Sequence, residues 1–143
     1  MLNFVERLQE LMKDESLSKI ELSRKTGIIH TTISGIYSGK HSPNYNSFIK
    51  IMLFFDCSAD YLLGKDEIHT EEKLFSPQPF SLRLREMLKE KSISQEKLKR
   101  DLNLSGSVLY KWLSNKAQPS MHSLVELSKY FDCSVDYLIG RRK

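Results

Sequence analysis

SQEKLKRDLNLSGSVLYKWLSNK, residues 94–116, decides how this chain reads. Ser94 can cap a short helix, because its side-chain oxygen can accept from backbone amides that lack an intrahelical partner. That helix carries Leu98 and Leu102 on its apolar side. Asn103 follows where the helix must stop, and Asn tolerates the left-handed backbone that ends helices. Ser105 can then cap a second helix, with Val108, Leu109 and Trp112 expected inward. Its outward positions, Gly106, Ser107, Tyr110 and Lys111, are small, polar or basic. Two short helices joined by a tight turn, the second with a polar outer face, make the pattern of a helix-turn-helix.

The pattern occurs twice. An ungapped shift of 76 positions lays Phe80–Lys143 over Phe4–Glu67, with about a third of the aligned pairs identical. Self-similarity at a fixed offset marks duplicated units. The match is densest where FDCSADYLLG (55–64) meets FDCSVDYLIG (131–140). Ser18–Lys40, SKIELSRKTGIIHTTISGIYSGK, is therefore the first copy of the deciding stretch. A chain of 143 residues then divides into a domain at 1–66, a linker at 67–79 and a second domain at 80–143. Each unit is near the smallest size at which one core supports independent folding.

Five helices are expected in each unit. In the first, an amphipathic helix over 4–14 carries Phe4, Val5, Leu8, Leu11 and Met12 on one face. Ser18 with Glu21 forms a capping box that starts the second helix, which carries Ile20 and Leu22 and ends at Gly27. The third spans about 30–37, with Thr32, Ile33 and Ile36 inward and His30, Thr31, Ser34 and Gly35 outward. Ile29 stands at its cap position and cannot cap. A fourth helix at 45–55 precedes a short fifth, capped by Ser58 and closed by Gly64. The second unit repeats this at 80–90, 95–102, 106–113, 121–131 and 135–139. The fold class is all-α: two tandem five-helix domains. Pro77 and Pro79 make the end of the linker stiff and extended.

Charge separates the two copies. Through Gly64, seven Lys/Arg balance seven Asp/Glu, whereas from Phe80 onward thirteen basic residues face seven acidic ones. A basic surface attracts phosphate whatever the base sequence. Lys97, Lys99, Arg100, Lys111 and Lys116 all fall within the second helix-turn-helix. No apolar run approaches the roughly 18 residues that a membrane span needs, and no apolar signal core precedes Glu6 and Arg7. A cytoplasmic protein with no membrane partner is expected.

At these residues the chain resembles the lambda-repressor and Cro-like helix-turn-helix family, also called the xenobiotic-response-element class. The matching pieces are LSQEKL, TGIIHTTISGIYSGKHSPN and the closing SADYLLG and SVDYLIG, LSQEKL being matched by ISQEKL in this chain. The resemblance covers both repeats nearly end to end. It implies a sequence-specific regulator of transcription that binds double-stranded DNA, a repressor of bacterial or phage kind. In that family the third helix lies in the major groove. Carried over, its base-reading positions are His30, Thr31, Ser34 and Gly35, and Gly106, Ser107, Tyr110 and Lys111. The family's phosphate grips fall on Lys19 and Gln95 at the second helix, and on Lys40 and Lys116 after the third.

Two departures stand out. Where the family often pairs an Arg late in helix 1 with a Glu late in helix 3, this chain has Met12 with Tyr37 and Leu88 with Leu113. An apolar pair can replace an ion pair without loss of stability. The first copy's reading helix also lacks Lys, Arg and a cap, so a second function class enters: a protein-interaction or antitoxin-like adaptor, its first domain dimerising without reading DNA. Leu53 and Phe54 fall at the edge of the fourth helix's core stripe, beside Tyr61 and Leu63, and are the expected contact for a homodimer.

Catalysis is not expected. His30, His41, His69 and His122 are scattered, and Cys57 and Cys133 each stand alone as small buried hydrophobes. No phosphate loop or nucleophile elbow is present. Neither a cofactor, a metal nor a small-molecule substrate is called for.

Overall fold

The computed structural model describes residues 3–69 and 72–143. Thr70 and Glu71, in the expected linker, and the first two residues of the expected first domain lie outside the described residues. The described residues form ten α-helices and no strand, in two compact units, Met1–Lys73 and Leu74–Lys143. The first holds α1 (Phe4–Asp14), α2 (Lys19–Thr26), α3 (His30–Tyr37), α4 (Tyr45–Phe54) and α5 (Ala59–Leu62). The second holds α6 (Phe80–Glu90), α7 (Gln95–Leu102), α8 (Gly106–Leu113), α9 (Met121–Tyr130) and α10 (Val135–Leu138).

Helix starts follow the capping chemistry. Asn3, Ser18, Asn44 and Ser58 each accept from an amide in the first turn of α1, α2, α4 and α5. Ser94, Ser105, Ser120 and Ser134 do the same for α7 to α10. Each bond satisfies a donor that has no partner within its helix. Ile29, at the start of α3, makes no such bond. The turn into the third helix is left-handed in both units, at Gly27 before α3 with φ 79° and at Asn103 before α8 with φ 52°.

The core of each unit is one apolar cluster drawn from all five helices. Phe4, Leu8, Leu22, Ile33, Ile36, Phe48, Ile51 and Leu62 are buried in the first. Phe80, Leu84, Leu98, Leu109, Trp112, Leu124, Leu127 and Leu138 fill the equivalent space in the second. The aromatic partner of the first helix differs. Phe4 packs tilted against Phe48 of α4 at 6.0 Å, whereas Phe80 meets Trp112 of the reading helix edge-on at 5.9 Å. Both geometries suit the ring quadrupole.

One inward expectation is corrected, and two further apolar residues are not buried. Val108 is 38% exposed and Leu113 is buried instead. Leu109, Trp112 and Leu113 recur at i, i+3 and i+4, one face of a helix, and Val108 lies beside that face. Ile20 is 59% exposed because two positions along a helix carry it away from buried Leu22. Phe55 is half-buried at the end of α4, its ring set edge-on to Phe54.

An arginine at the same place in each repeat ties the first helix to the last. Arg7 is buried, with its guanidinium 3.7 Å above the Tyr61 ring and Nη2 donating to the Asp66 carbonyl at 3.3 Å. Arg83 donates to the Leu138 carbonyl at 3.1 Å and the Tyr137 carbonyl at 2.6 Å. The Tyr137 and Leu138 carbonyls lie at the end of α10, where a cation suits the negative end of the helix dipole.

Part of the stretch expected as linker is held by the second unit. The Phe75 amide donates to the Arg141 carbonyl and the Gln78 amide to the Ile139 carbonyl, both at 2.9 Å. Arg141 returns the bond through Nε to the Phe75 carbonyl at 3.1 Å, and its Nη1 lies 3.7 Å from buried Asp136.

The left-handed turn gives a direct test. A Cβ without a local hydrogen-bonding group is disfavoured there by about 1–2 kcal/mol. Asn103→Ala is expected to lower the second unit's stability by about 1 kcal/mol, and Asn103→Gly by less. Urea unfolding midpoints of the two variants check this.

Candidate nucleic-acid interface

In the second unit the expected reading positions come together on one open face. Gln95, Gly106, Ser107, Tyr110, Lys111 and Lys116 are all exposed. α8 stands there because Leu109, Trp112 and Leu113 anchor its other side in the core. Lys116 folds back on Tyr110, with Nζ 3.4 Å from the phenol oxygen and 5.1 Å from the ring centroid. Two of the expected DNA-contacting side chains therefore support each other. Between α7 and α8 lies an open cleft of about 220 Å³, lined in part by Gln95, Lys99, Gly106 and Tyr110. Gly106 adds no side chain to the cleft, and Gln95 and Lys99 bring donors to its wall beside Glu96.

The back of the reading helix is pinned from the first helix in both units. Arg85 Nη2 donates to the Leu113 carbonyl at 2.8 Å, and Gln9 Nε2 donates to the Tyr37 carbonyl at 2.9 Å. Each satisfies a terminal carbonyl of the reading helix. These side chains occupy equivalent repeat positions. They stand in for the missing Arg–Glu pair by bonding backbone instead of a side chain.

The first unit presents a different face. His30 and Thr31 are exposed and Ser34 is half-buried. Gly35, expected outward, is buried, because the His41 side chain covers it. Lys40 is exposed, whereas Lys19 is half-buried with Nζ 4.6 Å above the Tyr37 ring. Ile20 and Ile29, at 59% and 71% exposure, stand where the second unit has Glu96 and Ser105.

The residues expected at a homodimer contact differ in exposure. Leu53 is 49% exposed, and Phe54 and Leu63 are half-buried. Tyr61 is buried, covered on one face by Arg7 and met edge-on by His69 at 5.1 Å. Among the described residues no cluster of His, Cys, Asp or Glu is arranged to hold a metal, and neither Cys57 nor Cys133 is in a disulfide. No helix among them is long and apolar enough to cross a membrane.

Residues 84–138 match a helix-turn-helix family, and residues 7–64 match the family of Cro/C1-type helix-turn-helix DNA-binding domains. The chain carries two Cro/C1-type helix-turn-helix domains in tandem. It is also 35% identical over 61 residues to a protein of Enterococcus faecalis named HTH-type transcriptional activator BcrR, a match covering 43% of this chain and 30% of that protein. No solved structure matches the chain.

The two domains share their scaffold and differ where they would read. From Lys25 to Tyr37 no residue is identical to its counterpart between Asp101 and Leu113. The helix preceding the turn is also braced differently. In the second domain the Tyr130 hydroxyl donates to Asp101 at 2.7 Å, and Lys97 bonds the same carboxylate oxygen at 2.9 Å. The first domain has Phe54 and Lys25 at the places of Tyr130 and Asp101. Partial burial, together with the bond to Asp101, pushes the Tyr130 phenol up to about 12, while the bonds from Tyr130 and Lys97 hold the Asp101 carboxyl below its ordinary value.

A raised phenol value means that the folded state favours the protonated ring. Its stabilisation is complete below the ordinary tyrosine value of about 10 and is lost as pH rises from there towards 12. Tyr130→Phe is expected to cost about 1 kcal/mol at neutral pH and to reduce the alkaline loss of stability. Urea midpoints measured from pH 7 to 11 check both.

Proposed function

We propose that the chain is a sequence-specific transcription regulator that binds double-stranded DNA with the third helix of a helix-turn-helix in the major groove. The observation that carries this is the second domain's exposed face, where Lys111 and Lys116 flank Tyr110 beside Gly106 and Ser107. Gly106, Ser107, Tyr110 and Lys111 meet base edges, and Gln95 and Lys116 hold phosphates. A lysine facing a guanine edge can donate to O6 and N7, whereas a phosphate contact carries no sequence information. In the first domain His30, Thr31 and Ser34 face bases more weakly, with Lys19 and Lys40 toward phosphate. The domains at 1–66 and 80–143, tethered through 67–79, act as two linked readers.

The mechanism is occupancy, with no chemical step and in the cytoplasm. Repression requires only that the bound protein overlap the polymerase site. The Enterococcus faecalis relative carries the name of an activator, and the same binding beside a promoter would serve activation. Selection of bound duplexes from a random pool tests the reading, and a pool with no enriched motif overturns it. Lys111→Ala is expected to relax preference at one base pair by about 1–3 kcal/mol. Lys116→Ala is expected to weaken all sequences alike and to lower the salt slope by about one.

A second role, self-association through the first domain, is supported by its balanced charge and by half-exposed Leu53 next to Phe54. Near-zero net charge lowers the electrostatic barrier between copies. Leu53→Lys is expected to turn a dimer into a monomer in sedimentation. A wild-type chain that is monomeric at high micromolar concentration excludes this role.

A further inference from the structure

The two domains exchange a large and a small side chain across one point of the reading surface. In the second, Lys111 rises from the helix and Ala117 lies in the loop that follows. In the first, the helix offers Gly35 and the loop offers His41. The loop backbone is the same in both. The amides of Lys40 and His41 donate to the Gly35 carbonyl at 2.9 and 3.4 Å, and those of Lys116 and Ala117 to the Lys111 carbonyl at 2.9 and 3.2 Å. With those bonds shared, the large side chain comes from the loop in the first domain and from the helix in the second.

The fit at Gly35 is close. A Cβ built there would collide with the His41 imidazole, with Cδ2 at 2.6 Å. Gly35 has an ordinary helical backbone, since its φ is not positive. The glycine thus makes room for the ring, and a Cβ there would displace it; no left-handed turn is involved. His41 itself is exposed, and among the described residues no hydrogen bond or charge occupies its ring nitrogens.

We propose that His41, reaching over Gly35 from the loop, is the first domain's base-contacting side chain at the position that Lys111 fills in the second. This rests on the DNA-binding reading above and supplies the reading group that α3 itself lacks there. Imidazole brings a ring N–H donor to the place where the second domain brings an ammonium. Guanine O6 and N7 and adenine N7 are the acceptors in the major groove that such a donor can meet. Because a neutral ring also carries one acceptor nitrogen, the site can prefer a different base from that preferred by Lys111.

The test selects duplexes with the full chain and compares wild type, His41→Ala, Gly35→Ala and Lys111→Ala. The wild type should enrich a motif with two parts. His41→Ala should lose about tenfold preference at one base pair, distinct from the base pair altered in Lys111→Ala. Gly35→Ala, which evicts the ring while keeping the imidazole in the chain, should lose preference at the same base pair as His41→Ala. An unchanged motif in His41→Ala, or equal weakening on every sequence, overturns the assignment while a shifted motif in Lys111→Ala leaves the DNA-binding reading standing. A wild type with no motif overturns both. Thermal unfolding checks each variant's fold, and the His41 ring resonance of the wild type on adding the selected duplex gives a readout free of substitution. That resonance should shift, and an unmoved one also overturns the assignment.

Discussion

The reading helices are too short to exist alone. α3 and α8 each span eight residues, below the roughly twelve to fifteen at which isolated helices become even marginal in water. Each therefore depends on burying one face, Ile33 with Ile36 or Leu109 with Trp112, against the rest of its domain. That leaves only the opposite face for a partner. Gln9 or Arg85 then takes up a carbonyl at the helix's far end. Core packing and the exposed face are divided between two sides of the same two turns of helix.

This division explains how the copies diverged. The scaffold positions, such as the leucines at 8 and 84 and the arginines at 7 and 83, are retained in both domains. The turn and reading helix share no identical residue from Lys25 to Tyr37. The core can also be closed in more than one way. The indole of Trp112 meets Phe80 in the second domain, while Phe48 supplies the ring for Phe4 in the first. With packing so interchangeable, outward residues can change without loss of the fold.

Electrostatics separates the domains further. The surplus of basic residues lies beyond Phe80, so attraction to phosphate is strongest there. The first domain spends part of its positive charge internally. Arg7 is buried over Tyr61, and Lys19 lies over Tyr37. Exposed Ile20 and Ile29 take the places of polar residues on the helix-turn-helix surface. Two domains of one fold can thus present unlike chemistry to a partner.

The repeat, the all-α class, the capping residues and the starts of the helices could all be read in sequence, because caps, turn residues and helical periodicity act over a few neighbours. Ser94, Asn103 and Ser105 set the second helix-turn-helix by such local rules. Periodicity over eight residues was too short to choose between Val108 and Leu113 for the core, and only packing placed Leu113 inside. Long-range contacts left no local mark. The bond of Arg83 to the end of α10 joins residues more than fifty positions apart, and Tyr61 disappears beneath Arg7 from the opposite end of its domain. The cover of His41 over Gly35 likewise depends on where the loop returns. Sequence determined which local elements form and which face is polar; tertiary structure decided which side chains reach that face, because reach depends on distances that close only when the helices pack.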